Sequence, residues 1–83
     1  METTHQTFTI DIRQPLSYSL QLHEEIETLV KETYDIEEYL ISFEPKNDKQ
    51  EDKPHFHFIV FTDYKNCTNL LQKLVKDYNL ARS

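Results

Sequence analysis

Residues 53–61 most constrain the fold, because their polar and apolar side chains alternate in the manner of a β-strand buried on one face. Side chains along a strand point alternately to opposite faces, so His55 and His57 share one face, about 7 Å apart. Phe56 and Phe58 share the other face, where they can be buried. Two imidazoles held side by side on a rigid strand can reach one metal ion, so the chain is a candidate for metal-assisted chemistry.

The size and composition of the chain narrow its class. Its 83 residues allow one domain, residues 1–83. No apolar run approaches the roughly 20 residues that span a membrane, and the start of the chain does not resemble a signal peptide, so we expect no membrane partner. Cys67 is the only cysteine, which excludes an internal disulfide and fits a reducing intracellular setting. Glycine is absent, which excludes Gly-rich phosphate-binding loops.

The net charge of the chain argues against a protein that binds nucleic acid through overall electrostatic attraction. The formal net charge is −6 and the pI is about 5.0. This charge does not exclude a local basic track in predicted loops and strand ends, at Arg13, Lys46, Lys49, Lys53 and Lys65.

Hydrophobic periodicity predicts three strands and two helices. Alternation with period two marks the strands, and apolar residues three and four apart mark the helices. We expect a loose end at residues 1–6 and a polar loop at residues 45–54. The predicted elements are a strand at Thr7–Ile12, a helix at about Ser19–Thr33, a strand at Glu38–Glu44, the histidine strand to Phe61 or Thr62, and a helix from Asn66 or Thr68, as its N-cap, to Asn79.

This order of elements predicts a ferredoxin-like, RRM-like α+β fold, βαββα(β), with the final strand missing. A right-handed crossover places the third strand between the first and second strands. The sheet is then mostly antiparallel, with both helices on one face and the other face open.

Three potential metal ligands share the open face. Glu44 ends the second strand and His55 opens the third, so a hairpin brings them together, and His57 has the same parity as His55. One carboxylate and two imidazoles suit a divalent ion with vacant positions, Mn²⁺ or Mg²⁺ working with phosphate oxygens, or Zn²⁺.

These residues resemble the HUH endonucleases, the replication-initiator (Rep) proteins of small circular single-stranded DNA viruses and rolling-circle plasmids. The first-strand motif of that family reads here Phe8-Thr9-Ile10, its His-hydrophobic-His motif reads residues 55–57, and its metal-binding Glu corresponds to Glu44. The end of the last helix, residues 78–82, is also similar. The resemblance implies metal-dependent nicking and joining of single-stranded DNA at a replication origin.

The chain departs from that family at its nucleophile. The family uses a tyrosine in a Tyr-x-x-Lys motif beyond one further strand, and no tyrosine here has lysine three positions later. Tyr78 and Tyr64 are weak substitutes, and Asp11 stands where the family tends to have asparagine. The resemblance therefore implies a truncated domain that retains the metal site and does not nick by itself.

The resemblance also implies a partner and a location. Single-stranded DNA at an origin would cross the open face, contacted by Thr9, Asp11, Arg13, Lys46, Lys49 and Lys53. The location would be the host nucleus for a eukaryotic virus and the cytoplasm for a bacterial plasmid.

Two other classes of protein fit the same order of elements. An RRM-like module would bind single-stranded nucleic acid by stacking bases on Phe56, Phe58 and Phe61. That reading requires His55 and His57 to be buried, where they would need polar partners. A protein-interaction module would use the unpaired edge of the first strand, giving a homodimer or a borrowed strand.

Overall fold

The computed structural model describes residues 2–82, which form a four-stranded antiparallel sheet and two helices in an α+β fold. The strand order is β2-β3-β1-β4, compatible with the predicted ferredoxin-like arrangement. Among the described residues, no helix combines the length and apolarity needed to cross a bilayer. The elements are β1 (Thr4–Asp11), α1 (Leu20–Thr28) continuing as a π-helical turn (Leu29–Thr33), β2 (Tyr39–Lys46), β3 (Asp52–Thr62), α2 (Tyr64–Asp77) and β4 (Ala81–Arg82).

The core lies between the helices and one face of the sheet. Phe56 and Phe58 of β3 are its largest fully buried side chains, and they pack with Ile10 of β1, Ile26 of α1 and Leu70 of α2. Fully burying an apolar side chain of this kind stabilises the fold by roughly 1.5–3 kcal/mol. Because β3 lies between β2 and β1, it holds the sheet and the core together.

The first strand is longer than predicted. β1 begins at Thr4, so the prediction of a loose end is wrong for Thr4–Gln6. Thr4 pairs with Thr62, and Gln6 pairs with Val60. The 11 residues of β3 offer backbone partners beyond the apolar part of β1, and pairing with them extends the strand.

A short final strand is present, contrary to the sequence prediction. Ala81 pairs with Asp11 and Arg82 pairs with Ile10, which adds β4 to the free side of β1. Leu80, just before β4, is 3% exposed and anchors this segment in the core. Two residues are too few for a periodic pattern, so the sequence carries no signal for this strand.

The two helices differ in how well the sequence predicts their ends. The sequence offers Ser17 or Ser19 as the cap of α1, and it is the hydroxyl of Ser19 that accepts a hydrogen bond from the N–H of Leu22 at 3.0 Å. Asp63 caps α2, its carboxylate accepting from the N–H of Asn66 at 2.8 Å. The prediction of Asn66 or Thr68 as the N-cap is therefore wrong, and α2 starts earlier. Asp63 immediately follows β3, so the chain turns into the helix as soon as the strand ends.

The hairpin between β2 and β3 is tighter than the predicted loop. β2 continues to Lys46 and β3 starts at Asp52, so the polar loop between them is shorter than expected. The side-chain oxygen of Asn47 accepts hydrogen bonds from the N–H groups of Lys49 at 2.9 Å and Glu51 at 3.0 Å. This Asx-type pattern fixes the turn without glycine.

Left-handed backbone positions are occupied by residues that have a Cβ atom. Asp35, Gln50 and Asn79 have φ values of 53°, 63° and 55°. Aspartate and asparagine tolerate this region better than most residues, whereas glutamine lacks the short side chain that helps there. Gln50 is therefore the position at which the lack of glycine costs the most.

We expect Gln50→Gly to raise the free energy of unfolding by roughly 0.5–1 kcal/mol, because glycine adopts positive φ without the Cβ clash. Urea denaturation followed by circular dichroism measures the change. The matched control is Lys49→Gly, in the same turn at a residue without positive φ. An increase for Lys49→Gly as large as that for Gln50→Gly would contradict the explanation.

Candidate metal centre

Strand register brings the three predicted metal ligands together on the open face. Glu44 of β2 is directly opposite His55 of β3, and His57 lies two residues along the same strand. The carboxylate of Glu44 lies between the two rings. Its Oε1 is 3.5 Å from Nε2 of His55, and its Oε2 is 3.4 Å from Nδ1 of His57. The structure therefore places these three side chains in one cluster.

The ring of His55 is held by a hydrogen bond to its own strand. Its Nδ1 lies 2.6 Å from the carbonyl oxygen of Lys53. A carbonyl oxygen can only accept, so Nδ1 carries the proton and donates. In the neutral ring, Nε2 is then a bare acceptor that points at Glu44. Histidines that bind metals are commonly oriented in this way by a backbone carbonyl or a carboxylate.

Two acceptors consequently face each other in the cluster. An ionised carboxylate offers only acceptor atoms, and Nε2 of neutral His55 offers another at 3.5 Å. A cation between these atoms, or a proton on Nε2, turns this arrangement from repulsive to attractive. His55 is only 9% exposed, so solvent has limited access to compensate the pair.

The cluster has room to adjust around an ion. The side chains of His57 and Glu44 are 42% and 47% exposed. Among residues 2–82, no group of three His, Cys, Asp or Glu side chains is arranged so that it could hold a metal ion as it stands. His55 is the fixed member of the cluster, because it is buried and bonded to its own strand, whereas the other two side chains are partly exposed.

Two predicted residues of β1 lie beside the cluster. Thr9 pairs with His57, and Asp11 pairs with His55, so both belong to the open face. Thr9 and Lys53 line a cleft of about 380 Å³ that also contains the three ligands. Asp11 is half-buried in the same cross-strand row.

The cleft includes two residues that the sequence analysis missed. Asn47 and Asp48, from the hairpin, form part of its wall. Their contribution depends on the tight turn, which lets the hairpin lie against the cluster. The Asn-Asp pair itself is typical of a tight turn. A prediction based on it would have given a shorter loop and indicated the position of these two residues.

Not all of the predicted basic residues lie at the cleft. Lys53 lines the cleft, whereas Arg13, Lys46 and Lys49 do not. Nζ of Lys46 lies 2.7 Å from a carboxylate oxygen of Asp52, and this hydrogen bond and ion pair lower the pKa of that carboxyl. The charge of Lys46 is therefore already balanced within the hairpin. Arg13 is exposed just after β1, and Lys49 is exposed in the turn.

The substitute tyrosines lie away from the cluster. Tyr64 starts α2 beyond the end of β3, and the five residues from His57 to Thr62 alone span roughly 17 Å. Tyr78 packs against the core on the helix side of the sheet, opposite to the histidines. Cys67 is buried, and burial raises the pKa of its thiol, which disfavours a nucleophilic thiolate.

The structure separates the aromatic residues of the RRM-like alternative. Phe56 and Phe58 are fully buried under the helices, so they cannot stack on bases. Phe61 alone of the three lies on the open face, where it is 38% exposed. The expected burial of His57 in that alternative is also absent, since its side chain is 42% exposed.

Comparison of the chain with protein-family models, curated proteins and solved structures found no match. The case for a function therefore depends on the residues and their geometry.

The hydrogen bond from His55 to Lys53 predicts one tautomer of the ring. We expect the neutral ring of His55 to carry its proton on Nδ1, because Nδ1 lies 2.6 Å from a carbonyl oxygen that can only accept. Long-range ¹H–¹⁵N correlation spectra distinguish the two ring nitrogens. The exposed ring of His57 serves as an internal comparison. An Nε2–H tautomer for His55 would contradict the described contact and remove the acceptor that faces Glu44.

Proposed function

We propose that this domain binds one divalent metal ion through Glu44, His55 and His57 and presents it to a phosphodiester of single-stranded DNA. The observation that carries the proposal is the bare Nε2 of the largely buried His55, held 3.5 Å from the acceptor oxygen of Glu44. An acceptor nitrogen and a carboxylate oxygen that face each other favour a cation between them.

The donor set supports a particular class of metal. Two imidazole nitrogens and one carboxylate are a mixed N/O set that suits Mn²⁺, with Mg²⁺ and Zn²⁺ as weaker fits. Three protein ligands leave positions for phosphate oxygens or water. When bound, the ion would supply polarisation of the phosphodiester and charge neutralisation.

The chain supplies further contacts for a phosphate at this site. Lys53 places a positive side chain in the cleft, and Thr9 places a hydroxyl beside His57. The net charge of −6 opposes DNA binding elsewhere on the molecule. We therefore expect weak DNA binding that depends on the metal.

The resemblance of the motif residues to the Rep nucleases supports a role for this site in nicking and joining of one DNA strand during rolling-circle replication. In such a reaction a tyrosine attacks the phosphate that the metal orients. Tyr64 and Tyr78 both lie away from the cluster. In this proposal the domain holds and orients the phosphate, and its own tyrosines do not cleave it. Covalent transfer of a labelled 5′ DNA end to this chain would contradict that conclusion.

We expect calorimetric titration with Mn²⁺ to show one saturable site. Glu44→Ala and His57→Ala should each weaken it by at least tenfold, since removal of one metal-site partner commonly costs 10–100-fold. The matched control is Glu38→Ala, which removes another carboxylate that contacts a histidine, His5, at 3.3 Å. Absence of binding, or equal losses in all three variants, would overturn the proposed metal centre.

A second candidate function is self-association through the edge of β1. The N–H of Ile12 donates to Pro54 at 3.0 Å, so by alternation Thr7 and Thr9 direct their backbone groups away from β3. On that side β4 pairs only with Ile10 and Asp11 within the described residues. The edge at Thr4–Thr9 carries no Lys, Asp, Glu or Pro that would oppose strand addition.

Sedimentation equilibrium tests this second candidate. We expect a dimer at high micromolar concentration that Thr7→Pro abolishes, because proline removes an outward N–H from the edge. Thr7→Val keeps the N–H and should preserve the dimer. A clean monomer in the wild type would eliminate the candidate.

A further inference from the structure

A second zone of the open face lies next to the metal centre. Four side chains, from β1, β2 and β3, define what we call the aromatic zone: His5, Leu40, Ile59 and Phe61. Leu40 pairs with Ile59, and His5 pairs with Phe61, so they form adjacent rows of the sheet. The metal centre occupies the rows at the other end of the same strands.

The aromatic zone exposes apolar surface on a face that is otherwise polar. Phe61 is 38% exposed and Leu40 is 59% exposed, whereas Val60 and Thr62 on either side of Phe61 are buried. The alternation of β3 therefore directs Phe61 outward. Its ring lies 4.8 Å from the ring of His5, with 57° between the ring planes. The two rings form one exposed aromatic surface.

The two rows at which the metal centre and the aromatic zone meet have few charges. Ser42, His57 and Thr9 form one cross-strand row, and Leu40, Ile59 and Thr7 form the next. Neither row contains a carboxylate. Glu38, near the aromatic zone, has an oxygen 3.3 Å from Nε2 of His5. A polyanion crossing the two rows therefore meets no carboxylate that belongs to them.

The spacing of the two zones is set by one strand. His57 and Phe61 are four residues apart on β3, which corresponds to about 13 Å. An extended single strand that follows β3 can therefore reach both zones with nucleotides a few positions apart. Aromatic side chains on an open sheet stack against unpaired bases, largely without regard to sequence.

We propose that the aromatic zone is a base-stacking subsite for single-stranded nucleic acid, in which Phe61 and His5 hold a base a few nucleotides from the phosphate at the metal centre. This inference rests on the proposed function, because the metal centre defines where the strand begins its path. It adds the direction of the strand across the sheet, along β3 from the histidines toward Phe61.

The test uses the full chain, Mn²⁺ and a fluorescein-labelled oligothymidylate of about eight nucleotides, a length typical of such sites. Fluorescence anisotropy measures the affinity. We expect Phe61→Ala to weaken binding roughly tenfold, as loss of one stacked base commonly does, and Phe61→Trp to preserve binding. Leu20→Ala, which truncates a 66% exposed side chain on α1, is the matched control and should change nothing.

A second measurement locates the stacked base. A single abasic position is moved along the oligonucleotide, and each version is titrated with wild-type protein and with Phe61→Ala. We expect one abasic position to weaken wild-type binding and to have no further effect on Phe61→Ala. Such non-additivity shows that the missing base and Phe61 contact each other.

The possible failures separate the two proposals. Equal oligonucleotide affinities for wild type and folded Phe61→Ala overturn the stacking subsite, while Mn²⁺ binding that needs Glu44 leaves the metal centre standing. Phe61-dependent affinity that persists in EDTA, with no calorimetric Mn²⁺ site, supports stacking and overturns the metal centre. Self-association that Phe61→Ala removes, without oligonucleotide binding, overturns the subsite in favour of a protein contact. Circular dichroism establishes that each variant is folded.

Discussion

The alternation of side chains along β3 is the constraint on which the rest of the structure depends. One face of this strand buries Phe56 and Phe58 under both helices, and the other presents His55 and His57. Pairing with β3 sets the register of both β1 and β2. The energy that holds the fold therefore also fixes the side chains of the candidate site, because burial of one face determines which residues the other face presents.

The candidate site combines one rigid member with two adjustable ones. His55 is buried and bonded to its own strand, whereas Glu44 and His57 remain about half exposed. In the proposed metal site, the rigid ligand would reduce the ordering cost of binding, and the adjustable ligands would allow different ions and a phosphate to be accommodated. One rigid side chain and two adjustable ones are more typical of a metal site with open positions for substrate oxygens than of a closed structural metal site.

The sequence predicts the sheet, the helices and the central cluster because these depend on periodicity and parity. Glu44, His55 and His57 are brought together by pairing rules alone. The details that it misses depend on single contacts or on short segments. No pattern distinguishes Asp63 as the cap of α2, since Asn66 and Thr68 nearby have equal capping chemistry.

Other features of the site depend on tertiary context. The hydrogen bond of His55 to Lys53 requires the actual ring rotamer, which parity does not determine. The positions of Asn47 and Asp48 follow from the turn geometry. The ion pair of Lys46 with Asp52 is a further example, because two side chains that appear independent along the chain become neighbours across the hairpin.

The shared use of β3 by core and site has a consequence for how sequences of this fold can diverge. Loss or gain of one residue within 55–60 would turn every later side chain to the opposite face, placing imidazoles in the core and phenylalanines in solvent. An insertion or deletion in that segment would therefore disrupt both the core and the candidate site, whereas the exposed hairpin turn can accommodate one. A related chain that keeps the fold can therefore lose the candidate site only through substitution of its residues.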